Sequence, residues 1–254
     1  METGRLLHEL AERYETANFL RDDPAQFMHC FAGRGDAEVA AFVAAALSYG
    51  QRTAFLPVVQ MLLDKTEGEP ERWVRSRAFV DVIDDNEQTF YRLTTNHALR
   101  GMLAGLQAML QQYGSIGDFV RNNAGDGFSA VEALARYFGT YGISPLIPRD
   151  AQSACKRLCM FLRWMVRSGS PVDLGLWSHF IDRRTLIMPL DTHVLTMACR
   201  LNLTATRNAS MPAAKKLTTR MLRYFPDDPL RGDFALFGLG ISLRPNKKGT
   251  SHLL

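Results

Sequence analysis

The chain has 254 residues, of which 46% are hydrophobic, enough for the packed core of one large domain or two small lobes. It shows neither an apolar run long enough to span a bilayer nor a secretion signal, so we expect a cytoplasmic protein. The four cysteines, Cys30, Cys155, Cys159 and Cys199, include no CxxC pair. They predict reduced core thiols, and we expect no metal site and no iron-sulfur cluster.

The positive charge is concentrated in the C-terminal part of the chain. The net charge is +4, but residues 1–148 carry 13 Lys and Arg against 19 Asp and Glu, whereas residues 149–254 carry 17 against 7. Such asymmetry favours a lobe that faces a polyanion, and nucleic acid is the commonest polyanion in a cell. A set of solvated basic helices is the alternative interpretation.

Almost every segment repeats its apolar residues with the period of an α-helix, and alternating strand patterns are absent, so we predict an all-α protein. The predicted helices cover residues 4–20, 37–50, 53–65, 96–112, 129–140, 151–168, 191–201, 212–224 and 229–242. We predict a single unit over residues 1–254, with a helical lobe at 37–148 and a basic lobe at 149–254. The packing of residues 1–36 stays open.

The predicted helix at 151–168 carries a basic stripe beside its apolar one. Lys156, Met160, Arg163 and Arg167 follow each other at helical spacing and share one side of the helix. A solvated basic face is the simple interpretation. The chemical one is that a lysine flanked by like charges and partly desolvated exists to a larger extent as the nucleophilic amine, as in a Schiff-base lysine.

Residues 186–203 read LIMPLDTHVLTMACRLNL and contain the start of another helix. Pro189 interrupts what precedes it, and Asp191 stands immediately before the apolar repeat, as an N-cap does. Capping alone explains most aspartates in this position. Asp191 follows Lys156 by 35 positions, and a return of the chain over this distance would also allow the carboxylate to assist proton transfer or to stabilise positive charge on a sugar.

The segment PLDTHVLTMACRLNL resembles the Pro-x-Asp-Thr-His-Val segment of helix-hairpin-helix DNA glycosylases of the endonuclease III type. No Leu-Pro-Gly-Val-Gly hairpin precedes Lys156, and the Lys-to-Asp spacing is longer than usual. Both departures resemble the archaeal 8-oxoguanine DNA glycosylase branch. The set KRLCMFLRWMVR, VDLGLW, LIMPLDTHV and DDPLRGDFALFGLGISL also resembles an uncharacterised bacterial family related to these enzymes.

The resemblance implies a two-lobed helical glycosylase-like fold with a divergent helix-hairpin-helix region. It implies Lys156 as the nucleophile that forms the covalent intermediate and Asp191 as its catalytic partner and helix cap. In the implied base pocket Asp233 accepts from the N–H edge of the base and Phe237 stacks on it, where the archaeal enzymes have Trp; plain helix and core positions are the alternatives for these two. The remaining implied contacts are Met160 and Gln51 to the base, and Arg163, Arg167, Thr192 and His193 to the DNA backbone. A surface position for Gln51 and a local structural role for His193 are the other interpretations.

The activity implied is excision of an oxidised purine, with 8-oxoguanine the leading candidate, followed by β-elimination through a Schiff base on Lys156. The expected partner is double-stranded DNA containing a damaged base, bound by a monomer on the nucleoid, with no cofactor and no membrane contact. Two alternatives remain open: a glycosylase for another lesion in which Lys156 acts only electrostatically, and a helical DNA-binding protein without catalysis.

Overall fold

The computed structural model describes residues 2–144 and 146–243. Of the predicted single unit, Met1, Pro145 and residues 244–254, the end of the predicted basic lobe, lie outside the described residues. The helices are α1 (Glu2–Tyr14), α2 (Arg34–Leu47), α3 (Arg52–Asp64), α4 (Pro70–Arg75), α5 (Phe79–Val82), α6 (Asn96–Tyr113), α7 (Ile116–Asn123), α8 (Gly127–Gly139), α9 (Lys156–Val166), α10 (Thr192–Arg200), α11 (Met211–Met221) and α12 (Arg231–Ser242). Shorter 3-10 helices cover Ala17–Asp22, Pro24–Cys30 and Arg183–Thr185.

The prediction of an all-α protein is confirmed, with one small exception. Strands β1 (Thr89–Tyr91) and β2 (Thr94–Thr95) form an antiparallel hairpin, in which Tyr91 pairs with Thr94. Arg92 in its turn has a φ of 52°, in the left-handed region. Strands of two and three residues are too short to show an alternating pattern, which is why the sequence did not reveal them.

Two predicted helices differ from the observed ones by more than three residues at one end. The helix predicted at 151–168 begins only at Lys156, because Cys155 has a φ of 45° and cannot belong to a right-handed helix. The helix predicted at 4–20 ends at Tyr14, and the chain continues as the 3-10 helix Ala17–Asp22. Of the four cysteines, Cys155 and Cys159 are buried but Cys30 is exposed, so the prediction of a core thiol is wrong for Cys30.

Helix α2 lies at the centre of the fold. All its residues from Ala37 to Leu47 are buried, and it packs against α3, α4, α7, α9 and the 3-10 helix Pro24–Cys30. Six of these residues are alanines, whose small side chains let neighbouring helices approach closely. Helix α9 packs against both α2 and α8, which fixes the start of α9 relative to the N-terminal half of the chain.

Helix α12 packs against α1 and α10, so the N-terminal helix lies on the last described helix. Two glycines make this packing possible. A Cβ at Gly238 would overlap the ring of Tyr14, and a Cβ at Gly240 would overlap the ring of His193. Within the described parts of the chain, no helix has the length and apolar content needed to cross a membrane.

Candidate functional site

Lys156 and Asp191 meet at the starts of two helices. Lys156 is the first residue of α9, and Asp191 is the N-cap of α10. The Lys156 Nζ lies 2.8 Å from the Asp191 Oδ2, and the two side chains are 40% and 33% exposed. The structure therefore brings together the two residues that the sequence pairs as nucleophile and carboxylate, and it leaves both accessible from outside.

The Asp191 carboxylate has separate partners for its two oxygens. Oδ1 accepts a hydrogen bond from the Val194 backbone N–H at 2.8 Å, which is the N-cap bond, while Oδ2 contacts Lys156. Burial raises the pKa of Asp191, but the charge and hydrogen bond of Lys156, with the cap bond, outweigh burial and lower it. Asp191 is thus an ionised carboxylate held in one orientation by the helix that it caps.

The two arginines on the Lys156 stripe are not exposed. Arg163 is 4% exposed and Arg167 is 1% exposed, and carboxylates hold both guanidinium groups. The predicted contacts of these arginines with the DNA backbone are therefore wrong. Helical periodicity places them in one stripe with Lys156, but that stripe turns into the protein beyond the first turn of α9. Lys156 consequently has a carboxylate, and not two guanidinium groups, as its ionic neighbour.

These arginines belong to a buried ion cluster made of Glu15, Arg163, Arg167, Asp173, Asp228 and Asp233. Asp173 is shared: it accepts from Arg163 Nε at 3.2 Å and also pairs with Arg167. Arg167 donates from Nε to Asp228 at 2.9 Å and from Nη2 to Glu15 at 2.6 Å. Burial disfavours the charged guanidinium of Arg167, but the carboxylates outweigh this effect and raise its pKa.

Asp233, in the first turn of α12, connects the buried ion cluster to the Lys156 site. Its Oδ2 accepts from Arg163 Nη1 at 2.5 Å. Burial raises the pKa of Asp233 and the negative charge of Asp191 adds to this rise, whereas Arg163 and Lys156 act to lower it. Asp233 is thus close enough to the Lys156–Asp191 pair to be affected by both charges, but it is buried and already ion-paired.

Phe237 lies one helical turn after Asp233 and is half-buried. The guanidinium of an arginine that no sequence motif indicated, Arg52, covers its ring. The Arg52 guanidinium lies 4.7 Å from the centroid of the Phe237 ring and 5.6 Å from that of Phe19. Its Nη2 is 2.8 Å from Asp23 Oδ2, a carboxylate that is almost completely buried. The sequence Asp23-Pro24 is typical of a helix N-cap, so the capping role of Asp23 can be predicted. Its pairing with Arg52 cannot, because the two residues are 29 positions apart and no local pattern connects them.

The other predicted contacts fall in different environments. Met160 is buried in the core, whereas Gln51, at the N-cap of α3, and Thr192 are exposed. The His193 ring packs against Gly240, and its Nε2 is buried without a hydrogen-bond partner in the described structure. The position of His193 thus supports the structural interpretation of this residue over a contact with the DNA backbone.

Neither of two sizeable clefts in the surface contains Lys156 or Asp191. One, of about 540 Å³, lies beside the 3-10 helix Arg183–Thr185, and the other, of about 520 Å³, lies between Arg167 and the chain before α12. The residues predicted to form the base pocket, Phe237 among them, therefore line neither cleft. Within residues 2–144 and 146–243, no three His, Cys, Asp or Glu side chains are arranged to hold a metal ion.

Comparison with protein families gives a match over most of the chain. Residues 23–242 match the model of a family described as proteins of unknown function, DUF2400. The chain belongs to the DUF2400 family. The DUF2400 match begins at Asp23, the partner of Arg52, and extends through Lys156 and Asp191 to the end of α12, whereas α1 lies outside it. No curated protein and no solved structure matches the chain.

Proposed function

We propose that this DUF2400 protein is a DNA glycosylase with β-lyase activity, in which Lys156 is the nucleophile and Asp191 its carboxylate partner. The observation that carries the proposal is the 2.8 Å contact between Lys156 Nζ and Asp191 Oδ2 at two helix starts, with both groups partly open to solvent. The glycosylase-like sequence around Asp191 supports the same assignment. An oxidised purine, with 8-oxoguanine the leading candidate, is the proposed substrate.

The pair can perform the two tasks that the reaction needs. Lys156 must lose a proton before attack, and Asp191 Oδ2 is in hydrogen-bond contact to accept it. The Lys156 nitrogen then forms a bond to the anomeric carbon while the glycosidic bond breaks. The electron pair of the glycosidic bond leaves with the base, which takes up the proton that Asp191 accepted from Lys156. The Asp191 carboxylate restored in this way stabilises the positive charge on the sugar adduct. Opening of the sugar ring gives the Schiff base, from which loss of a C2′ proton expels the 3′ phosphate.

Asp233 and Phe237 are the proposed contacts to the extruded base. They lie four residues apart on α12 and therefore on the same side of the helix. Phe237 offers a partly exposed ring for stacking, and Asp233 offers a hydrogen-bond acceptor on which the charges of Lys156 and Asp191 act. Flipping a damaged nucleotide out of the duplex costs roughly a few kcal/mol, which stacking and hydrogen bonds in such a pocket offset.

The proposed partner is duplex DNA, held through its phosphates. Because Arg163 and Arg167 are buried, this role passes to exposed cations of the basic segment, which include Arg200, Arg207 and Lys216. The first N–H groups of α10, beside Asp191, add a site where a phosphate can bind. Neutralising phosphates releases counterions, so the affinity for duplex should fall steeply as salt is added.

Borohydride trapping tests the proposal directly. Wild-type protein is incubated with duplexes containing 8-oxoguanine or an abasic site, and covalent adducts are separated on a denaturing gel. We expect adducts with wild type, none with Lys156→Ala, and undiminished adducts with Lys65→Ala, which removes an exposed lysine just after α3. The proposal fails if wild type neither forms an adduct nor cuts either duplex, and Lys156 is not the nucleophile if Lys156→Ala traps as well as wild type.

The ion pair itself favours one second candidate. A lysine held by a carboxylate can act as a fixed positive charge, in which case Asp191 would activate water and the enzyme would only release the base. Base release from the 8-oxoguanine duplex without a trapped adduct, retained in Lys156→Arg, would identify this monofunctional glycosylase.

A further inference from the structure

We propose that Arg52 selects the base, favouring a 6-oxopurine over a 6-aminopurine; this inference rests on the proposed glycosylase function. Arg52 is a side chain to which neither the sequence motifs nor the family match assigns a role. It opens α3 directly beside the predicted pocket residue Gln51, and its guanidinium lies 4.7 Å from the Phe237 ring centroid, on the surface where a base would stack.

The Arg52 side chain is tethered but not fully used. Its Nη2 is paired with Asp23, whose other oxygen accepts from the Ala25 N–H and so fixes the carboxylate in place. In the described structure, Asp23 is the only hydrogen-bond partner of the guanidinium. The remaining N–H groups are free to donate to a ligand at Phe237. A base that stacks on Phe237 displaces the planar guanidinium from the face of the ring. The guanidinium then lies beside the edge of the base, and its ion pair with Asp23 keeps it within hydrogen-bond distance of that edge.

Arg52 and Asp233 give the surface around Phe237 a defined polarity. Arg52 has only donors to offer, and an ionised Asp233 has only acceptors. The charges of both Asp233 and Asp23, the partner of Arg52, act on Arg163. A 6-oxopurine presents an acceptor, O6, beside its N1–H and N2–H donors and matches this arrangement. A 6-aminopurine presents a donor amine beside an acceptor N1 and mismatches it at both atoms.

The test compares two lesions that differ only in this purine edge. Single-turnover excision is measured on duplexes with 8-oxoguanine or 8-oxoadenine for wild type, Arg52→Gln and Arg92→Gln; an abasic duplex reports the lyase step. Wild type should prefer 8-oxoguanine. In Arg52→Gln the preference should fall by between about 5-fold and about 150-fold, because a glutamine amide can donate or accept and the arginine fork is lost. Arg92, which stacks on Tyr49 and Tyr91 in the hairpin turn, is the matched control and should leave the preference unchanged.

Each outcome decides one of the two proposals. An unchanged preference in Arg52→Gln, or a wild type that excises 8-oxoadenine as fast as 8-oxoguanine, overturns the role of Arg52. If wild type cuts the abasic duplex but excises neither base, the role of Arg52 is also overturned, and Lys156 remains as a lyase residue. A wild type inactive on all three duplexes overturns the glycosylase function and the Arg52 inference with it. If Arg52→Gln does not fold because Asp23 lacks its partner, the double variant Asp23→Asn/Arg52→Gln, which removes both charges, supplies the measurement.

Discussion

Substitution of Asp191 by Asn and by Ala should separate helix capping from charge. Asn caps helices about as well as Asp, so Asp191→Asn keeps an acceptor for the Val194 N–H and loses only the ion pair with Lys156. Asp191→Ala loses both. Asp191→Asn thus removes one of the two contacts of this side chain, and Asp191→Ala removes both. Together the variants test whether Asp191 is only a helix cap or also a catalytic group.

The structure sets the expected magnitudes. The Lys156–Asp191 pair is 40% and 33% exposed, so solvent screening limits its contribution to about 0.2–1 kcal/mol. The cap bond contributes about 0.5–2 kcal/mol. Asp191→Asn should therefore cost less than about 1 kcal/mol and Asp191→Ala roughly 1–3 kcal/mol. In a protein of this size, each kcal/mol lowers Tm by about 2–4 °C, which thermal unfolding followed by circular dichroism resolves.

Acidity gives a second measurement on the same variants. Because the folded-state pKa of Asp191 is lowered below its ordinary value of 3.8, its ion pair stabilises the fold fully above that pH and is lost as the pH falls through the folded-state pKa. The Tm difference between wild type and Asp191→Asn should close between about pH 5 and about pH 2. A difference that stays constant over this range would show that the pair does not stabilise the fold.

The loss of activity should not follow the loss of stability. Asp191→Asn, the milder change for folding, should still slow borohydride trapping by at least about 100-fold, because Asn can neither accept the Lys156 proton nor stabilise a cationic sugar. Trapping at the wild-type rate by a folded Asp191→Asn variant would refute the catalytic role and leave Asp191 as a cap. Equal losses of stability in the Asn and Ala variants would refute the separation of cap and charge.

Two further predictions concern the packing behind the site. Arg167→Met should destabilise the protein by about 3–5 kcal/mol in urea unfolding, because the buried carboxylates that pair with Arg167 lose their partner. Arg5→Met, which removes an exposed ion pair, should cost less than about 0.5 kcal/mol. Similar losses of stability in the two variants would refute the importance of the buried ion cluster. Gly240→Ala should cost about 1–3 kcal/mol because its methyl group overlaps the His193 ring, and His193→Ala should remove most of that cost in the double variant. Strict additivity of the two substitutions would show that the ring and the glycine do not interact.

Features encoded by adjacent residues could be predicted from the sequence. The helix predicted at 191–201 is α10, Thr192–Arg200, because the cap and the apolar repeat lie next to each other in the chain. The start of α9 could not be predicted in this way. The apolar pattern continues upstream of Lys156, but the left-handed backbone of Cys155 interrupts the helix, and the sequence carries no glycine there to mark it.

The candidate site shows the same division. The spacing allows Lys156 to approach Asp191 and the resemblance pairs them, and the two side chains lie 2.8 Å apart. Helical periodicity, however, suggested a solvent-facing stripe for Arg163 and Arg167. A helical repeat defines which residues share a side and not which side faces the core, and α9 is buried on nearly every side after its first turn. The partners that neutralise the two arginines include Asp233, 70 residues beyond Arg163, and Glu15, 152 residues before Arg167. Only the tertiary structure reveals such pairings.

The buried ion cluster has a consequence for the site that stability alone does not explain. Replacing buried ion pairs by apolar residues is often neutral or stabilising, so a cluster of this size is weak evidence for a contribution to stability. What it does fix is geometry: Arg163 on α9 holds Asp233 on α12 through Oδ2, and α9 also carries Lys156. Asp233 Oδ1 has no recorded partner among the described residues, so the same contact that orients the carboxylate leaves one oxygen for a ligand. Arg163, which the resemblance assigned to the DNA backbone, would then serve the proposed site from within, by holding the acceptor that we propose for the base.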